Sequence, residues 1–127
     1  MADDNPGVYE PGQNITATTS AAVTSRTFVA VTGNRSSTHG TITVGPATAA
    51  GRIAGVAARD TASGRQVTLH RGGGRVTFVT TSAAVTAGQE VEVGTGGTAV
   101  PKASGVAVGY ALTAAASGAD AEISLYY

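Results

Sequence analysis

The chain has 127 residues, eight basic and eight acidic side chains, and no cysteine. That length fits one domain or two small ones sharing a core, zero net charge argues against nucleic-acid binding, and the lack of cysteine removes disulfides and thiolate metal sites. Aromatic residues are 5% of the chain, tryptophan is absent, and leucine occurs only at Leu69, Leu112 and Leu125, so the core must be built from small and β-branched side chains, a thin core that gains from association.

Residues 1–12 hold Pro6, Gly7, Pro11 and Gly12 among Asp3, Asp4 and Glu10. Such a stretch predicts an extended arm, with Val8 and Tyr9 as its apolar anchors. Acidic residues stand where a signal peptide carries positive charge, and no apolar run approaches the roughly 20 residues of a membrane span, so the expectation is a soluble protein made in the cytoplasm. Strand patterning follows at Thr27–Thr32, Thr41–Val44, Gly51–Ala58 and Gln66–Arg71. Gly72–Gly74 predicts a turn, and further strands are expected at Arg75–Thr80, Glu90–Val93, Gly105–Leu112 and Ala121–Tyr126. The alanine-rich run Thr113–Ser117 is the one expected helical turn. Roughly ten short strands predict an all-β fold, barrel or sandwich.

The heptapeptide Thr-Thr-Ser-Ala-Ala-Val-Thr occurs at Thr18–Thr24 and again at Thr80–Thr86. A shift of 62 places Gly12 on Gly74 and Phe28-Val-Ala-Val31 on Glu90-Val-Glu-Val93, with Ser25-Arg26 standing where the second copy has Ala87-Gly88. A shift of 54 then places Gly55 on Gly109, Ala57 on Ala111 and Ala62-Ser-Gly64 on Ala116-Ser-Gly118, and a further two-residue offset sets Val67-Thr-Leu69 on Ile123-Ser-Leu125. The matches stay in order and fall on turn glycines and apolar strand positions. They predict two pseudo-repeats, about 12–71 and 74–127, related by a pseudo-twofold and forming a single β-rich domain over 13–127.

No grouping of residues predicts catalysis. Arg71-Gly-Gly-Gly-Arg75 lacks the Lys-Ser/Thr and helix of a phosphate loop and reads as a hairpin turn between solvated arginines. Thr95-Gly-Gly-Thr98 fails the same test. His39 and His70 are the only histidines, no carboxylates stand at metal spacing, and both read as surface residues, so neither metal nor cofactor is expected. Serines are plentiful, but no nucleophile elbow is present. Glu90, Glu92, Asp120 and Glu122 alternate as on a solvated strand face. Residues 26–75 carry seven arginines against Asp60, whereas the flanking segments are acidic, a distribution able to steer self-association or docking.

Gly55-Val-Ala-Ala58, Thr61-Ala-Ser-Gly64, Val67-Thr-Leu69 and Gly72–Gly74, repeated over Gly105–Leu125, resemble the head decoration proteins of tailed phages. These include the lambda type and the capsid decoration or fiber proteins of actinobacterial phages. Val85–Val93 is similar to that family's turn into a barrel strand. The resemblance covers about residues 12–127. It implies a small barrel-like β fold and a non-enzymatic homotrimer on the outer surface of an expanded capsid, stabilising the shell. The major capsid protein is then the partner, with no nucleic acid and no membrane. It also implies an N-terminal capsid-binding arm, here Asp3, Asp4, Pro6, Val8, Tyr9, Glu10 and Pro11. The alternatives are another β-rich virion part, such as a tail or fibre module that binds a host surface, and a small hydrolase with an unrecognised site.

Overall fold

The computed structural model describes residues 14–127; the expected arm, with Asp3, Asp4, Pro6, Val8, Tyr9, Glu10 and Pro11, lies outside the described residues. Ten short strands follow one another, with no α-helix among the described residues. The first five are β1 (Ile15–Thr19), β2 (Phe28–Gly33), β3 (Ile42–Pro46), β4 (Gly55–Ala57) and β5 (Gln66–His70). The second five are β6 (Val76–Thr80), β7 (Glu90–Val93), β8 (Ala99–Pro101), β9 (Gly109–Ala111) and β10 (Asp120–Leu125), with a 3-10 turn at Thr95–Gly97 before β8. The all-β, barrel-like expectation holds.

In the first half, β1 runs parallel to β3 and antiparallel to β5, and the ring β1-β3-β2-β4-β5 closes into a barrel. The second half has the same neighbours in the order β6-β10-β9-β7-β8. Its last contact is reduced to one parallel bridge between Thr81 and Ala99, so this sheet curls without closing. Alternation along the strands turns Ile15, Ala17, Val29, Val67 and Leu69 into the first interior, and Val79, Val91, Ala111, Ala121 and Ile123 into the second.

The repeated heptapeptide performs the same task twice. Thr19 and Thr81 are buried, and each hydroxyl donates to two carbonyls of a distant turn: Ala62 and Arg65 in the first half, Ala116 and Ala119 in the second. Val23 bridges Thr61 as Val85 bridges Ala115. Two equivalent glycines are fixed by close approach. A Cβ on Gly55 would stand 2.7 Å from the His70 carbonyl oxygen, and one on Gly109 would stand 2.5 Å from that of Ser124.

Several sequence-based expectations need correction. The two-residue offset late in the repeat is absent: Ala57 pairs with Leu69 and Ala111 with Ile123, so a shift of 54 persists and Leu69 answers Ile123. The substitution of Ser25-Arg26 for Ala87-Gly88 leaves the turn the same in both halves: Arg26 adopts φ +62° where Gly88 has +85°. Both amides donate to equivalent carbonyls, Ala57 and Ala111. Thr113–Ser117 is not helical, because Ala115 exchanges backbone hydrogen bonds with Val85 and tertiary pairing outweighs alanine's propensity. Gly72–Gly74 is not a hairpin: β5 and β6 do not pair, and the turn passes the chain from one half to the other. β1 and β8 were not expected as strands, since Ile15 is the one large apolar residue of β1 and β8 is three residues ending in proline.

The pseudo-twofold is also overturned. Phe28 and Val56 point out of the first barrel and are buried in the second half's core cluster, yet their repeat counterparts Glu90 and Tyr110 are exposed. A twofold would bury equivalent positions together, so the two halves pack head to tail. The Ser25–Phe28 segment enters where β6 and β8 part. The Thr80 amide donates to the Arg26 carbonyl at 2.9 Å, and a Cβ on Gly97 would lie 2.6 Å from the Phe28 carbonyl. A second seam joins Ala50 to the Val93 carbonyl and to the Val106 amide.

Candidate interaction surface

The strands of the second sheet bury one face and leave the other open. On β6, Val79 faces inward, so Val76 and Phe78 face outward. Register then places Val76 beside Ser124 and Phe78 beside Glu122 on β10. Ser124 pairs on its other side with Tyr110 of β9, and Tyr110 pairs with Glu90 of β7. Leu112 follows Tyr110 on the same side, and Tyr126 extends β10. Val76, Phe78, Tyr110, Leu112 and Tyr126 therefore form one apolar outer face, each 37–50% exposed. Ser124 and Glu122 of β10 stand between the β6 pair and the β9 pair. Several large apolar side chains gathered on one sheet face make it the candidate interaction surface, whereas a single exposed one, such as Val31 on β2, does not.

Polar neighbours contact the aromatic rings of this face. The Tyr126 hydroxyl donates to Glu90 Oε2 at 2.9 Å, and its ring lies 6.1 Å from that of Tyr110, tilted by 38°. The Glu90 bond pushes the Tyr126 phenol above its ordinary pKa. At the other edge, the Arg26 guanidinium stands 5.3 Å from the Phe78 ring centroid and pairs with the Asp120 carboxylate. Asp120 also accepts from Thr80 Oγ1 at 2.8 Å; that bond first, and Arg26 after it, hold its carboxyl below the usual carboxylate range. Arg75 donates to Asn14 Oδ1 at 2.8 Å beside Val76.

These contacts revise the expected roles of the charged residues. The acids do not form a uniformly solvated face. Glu92 is buried and accepts from the Ala103 and Gly105 amides, fixing the loop that meets Ala50, while Glu90 stays exposed. His70 is half-buried, its Nδ1 sharing a 3.0 Å hydrogen bond with Thr77; burial and then Arg75 lower its pKa. His39 is exposed, with Nδ1 3.1 Å from Thr18 Oγ1. Ser25, Arg26, Ala58, His70, Thr77 and Phe78 line an open cleft of about 220 Å³ at the junction of the halves, smaller than the roughly 300 Å³ of a small-molecule pocket. The residues of the outer face escaped sequence reasoning as a group. The signal available was the repeat itself, which sets Val76, Phe78 and Leu112 against Asn14, Thr16 and Ala58.

A family model for phage cement proteins matches residues 9–126. The chain belongs to the phage cement protein family. This cement protein is a structural virion component bound to the exterior of the phage capsid. It is similar in fold to the head fiber gp8.5 N base of bacteriophage phi29, with a TM-score of 0.74 at 20% identity, over 89% of this chain and 92% of that one. No curated protein matches the chain. The expected resemblance to head decoration proteins thus holds at the level of a phage capsid-associated protein.

Proposed function

We propose that this cement protein decorates the expanded phage head in the manner of lambda-type decoration proteins, as a homotrimer that contacts the major capsid protein and stiffens the shell. The observation that carries this reading is the cement-family match over nearly the whole chain. Physical features support it. The two interiors are built from valine, alanine and a few larger residues, so each buried side chain contributes about 1.5–3 kcal/mol or less, and association adds what the core lacks. The role is mechanical, without catalysis. Modest contacts repeated over a shell gain strength by avidity.

Residues 1–12 serve in this proposal as the capsid-binding arm. Val8 and Tyr9 supply apolar contact, and main-chain groups of the arm add to a sheet edge of the capsid protein. The test uses expanded capsids that lack this protein. The full chain is expected to sediment as a trimer, to bind those capsids and to raise the temperature at which they rupture. A chain that ignores the capsids, or binds without changing their rupture temperature, overturns the reading. Deleting residues 1–12 is expected to leave the circular dichroism spectrum intact and to weaken capsid binding; unchanged affinity removes the arm from the proposal.

A further inference from the structure

We propose that, in the free protein, the apolar outer face of β6, β10 and β9 is covered by the chain's own residues 6–11, Pro-Gly-Val-Tyr-Glu-Pro. The inference does not depend on the capsid role given to this arm above.

The fold does not demand an apolar face here. The first half has the same strand order, yet at positions equivalent to Val76, Phe78 and Leu112 it carries Asn14, Thr16 and Ala58. The large apolar outer residues of the first half are covered, because Phe28 and Val56 are buried against the second half. Their counterparts Glu90 and Tyr110 meet no third unit among the described residues, and the apolar side chains around Tyr110 stay 37–50% exposed.

The point where the described chain begins indicates the occupant. Its first residue, Asn14, accepts from the Arg75 guanidinium at 2.8 Å, next to Val76 at the start of β6. The preceding residues therefore depart from one corner of the face. β9 lies two strands from β6, a span of about 10 Å. An extended segment rising about 3.1 Å per residue carries Tyr9 up to about 16 Å from Asn14 and Pro6 up to about 25 Å, enough to cross it. A tethered segment docks as an intramolecular event, so a modest contact suffices.

The segment also has the chemistry of an occupant. Pro6 and Pro11 fix their own φ and bias Asn5 and Glu10 toward extended backbone. In an extended helix of three residues per turn, Pro6 and Tyr9 share one edge, Val8 and Pro11 a second, and Gly7 and Glu10 the third. Two edges are then apolar, and the third leaves Glu10 to water. Proline-containing segments of this kind dock on aromatic surfaces. Phe78 and the Tyr110 and Tyr126 rings, 6.1 Å apart, supply one.

The test is hydroxyl-radical footprinting of the free full-length chain and of the double variant Val8→Ser, Tyr9→Ser, with melts to verify folding and Tyr9→Ala as a second variant. In the variants, Phe78, Tyr110 and Leu112 are expected to oxidise roughly threefold faster or more than in the wild type, following the apolar area returned to water. Val31, exposed on β2, is expected to keep its rate. Fast oxidation of the face in the wild type overturns the inference. Slow oxidation in wild type and variants alike also overturns it, and assigns the cover to something other than the arm, such as a second copy. The chain has no cysteine, so Val8→Cys with Glu122→Cys and a short bismaleimide reports whose arm it is. Both cysteines on one chain are expected to give a monomer-sized crosslinked product. A dimer-sized product from a mixture of the two single variants overturns the assignment to the chain's own arm. No capsid enters these measurements, so their failure leaves the preceding reading standing, and a chain that ignores capsids leaves this one standing.

Discussion

Phe28 and Glu90 occupy the same place in two halves that share a strand order, and their fates are opposite. Phe28 is sealed into the neighbouring half, whereas Glu90 lies exposed and takes a bond from Tyr126. The same contrast runs through the junction. Arg26 holds a left-handed turn that Gly88 holds in the other copy, and it reaches Asp120, whose counterpart is Gln66. β1 and β3 close the first barrel with three paired residues, while β6 and β8 keep one bridge because Ser25–Phe28 lies between them. A repeated sheet thus becomes one body when one copy adapts a turn and an outer face to plug the other.

Removing the plug should cost the most. Phe28→Ala is expected to destabilise the protein by about 3–5 kcal/mol, as a large side chain removed from a packed core does. Glu90→Ala at the equivalent position is expected to cost within about 0.5 kcal/mol. Denaturant titration of both variants measures the difference, and equal costs would break the head-to-tail account. Next in size are the paired glycines. Gly55→Ala and Gly109→Ala each push a methyl against a carbonyl oxygen, and each is expected to cost about 1–3 kcal/mol. Equal losses support equivalence of the two halves, and a neutral substitution at either position refutes the close approach there.

Thr19→Val and Thr81→Val are expected to cost about 1 kcal/mol each, since each removes a hydroxyl donor from buried turn carbonyls without changing shape. A twofold disparity between them would show that the repeated heptapeptide no longer does the same work in both copies. Smaller again is the turn. At a positive φ, Arg26→Ala should be less stable than Arg26→Gly by about 0.5–1 kcal/mol, because glycine relieves the backbone and alanine does not. Thermal melts of the two variants give the order, and the reverse order would place the energy of Arg26 in its backbone pairing alone.

The smallest effect is a pH dependence confined to the junction. Asp120 has a folded-state pKa below its ordinary value, so its stabilisation is present above about pH 4 and fades as the pH falls through the folded-state value. Asp120→Asn should flatten the acid limb of the stability curve, and Gln66→Ala, at the counterpart position, should leave it unchanged. Both follow from melts between about pH 2 and 6. His70 acts in a different window: its lowered pKa means that the unfolded chain binds the proton first, so stability falls as the pH drops below about 6.5. His70→Gln should remove that slope.

Much of the architecture was legible because short β-patterned runs punctuated by glycine allow few alternatives. The repeat carried more information than any single segment. Laid on β6, it marks Ile15–Thr19 as a strand even though its own pattern is weak, because Thr77-Phe-Val-Thr-Thr81 shows what that register position does. Local pattern failed where pairing partners decide. Alanine at Ala115 favours a helix in isolation, but Val85 offers it a bridge. On β6, hydrophobicity alone favours burying Val76 and Phe78 over Thr77 and Val79, yet the sheet turns Val79 inward with Ala121 beside it.

The order and composition of the residues suffice to make this protein all-β, internally repeated and poor in large core residues. Those properties lie in composition, glycine placement and an identical heptapeptide, which survive any arrangement of the strands. Packing between distant residues sets how the halves join head to tail, why Arg26 takes a glycine's conformation, and which face of the second sheet stays open. Strand alternation offers two faces of opposite phase, and the choice between them rests on what packs against each one, a contact between residues far apart in the chain.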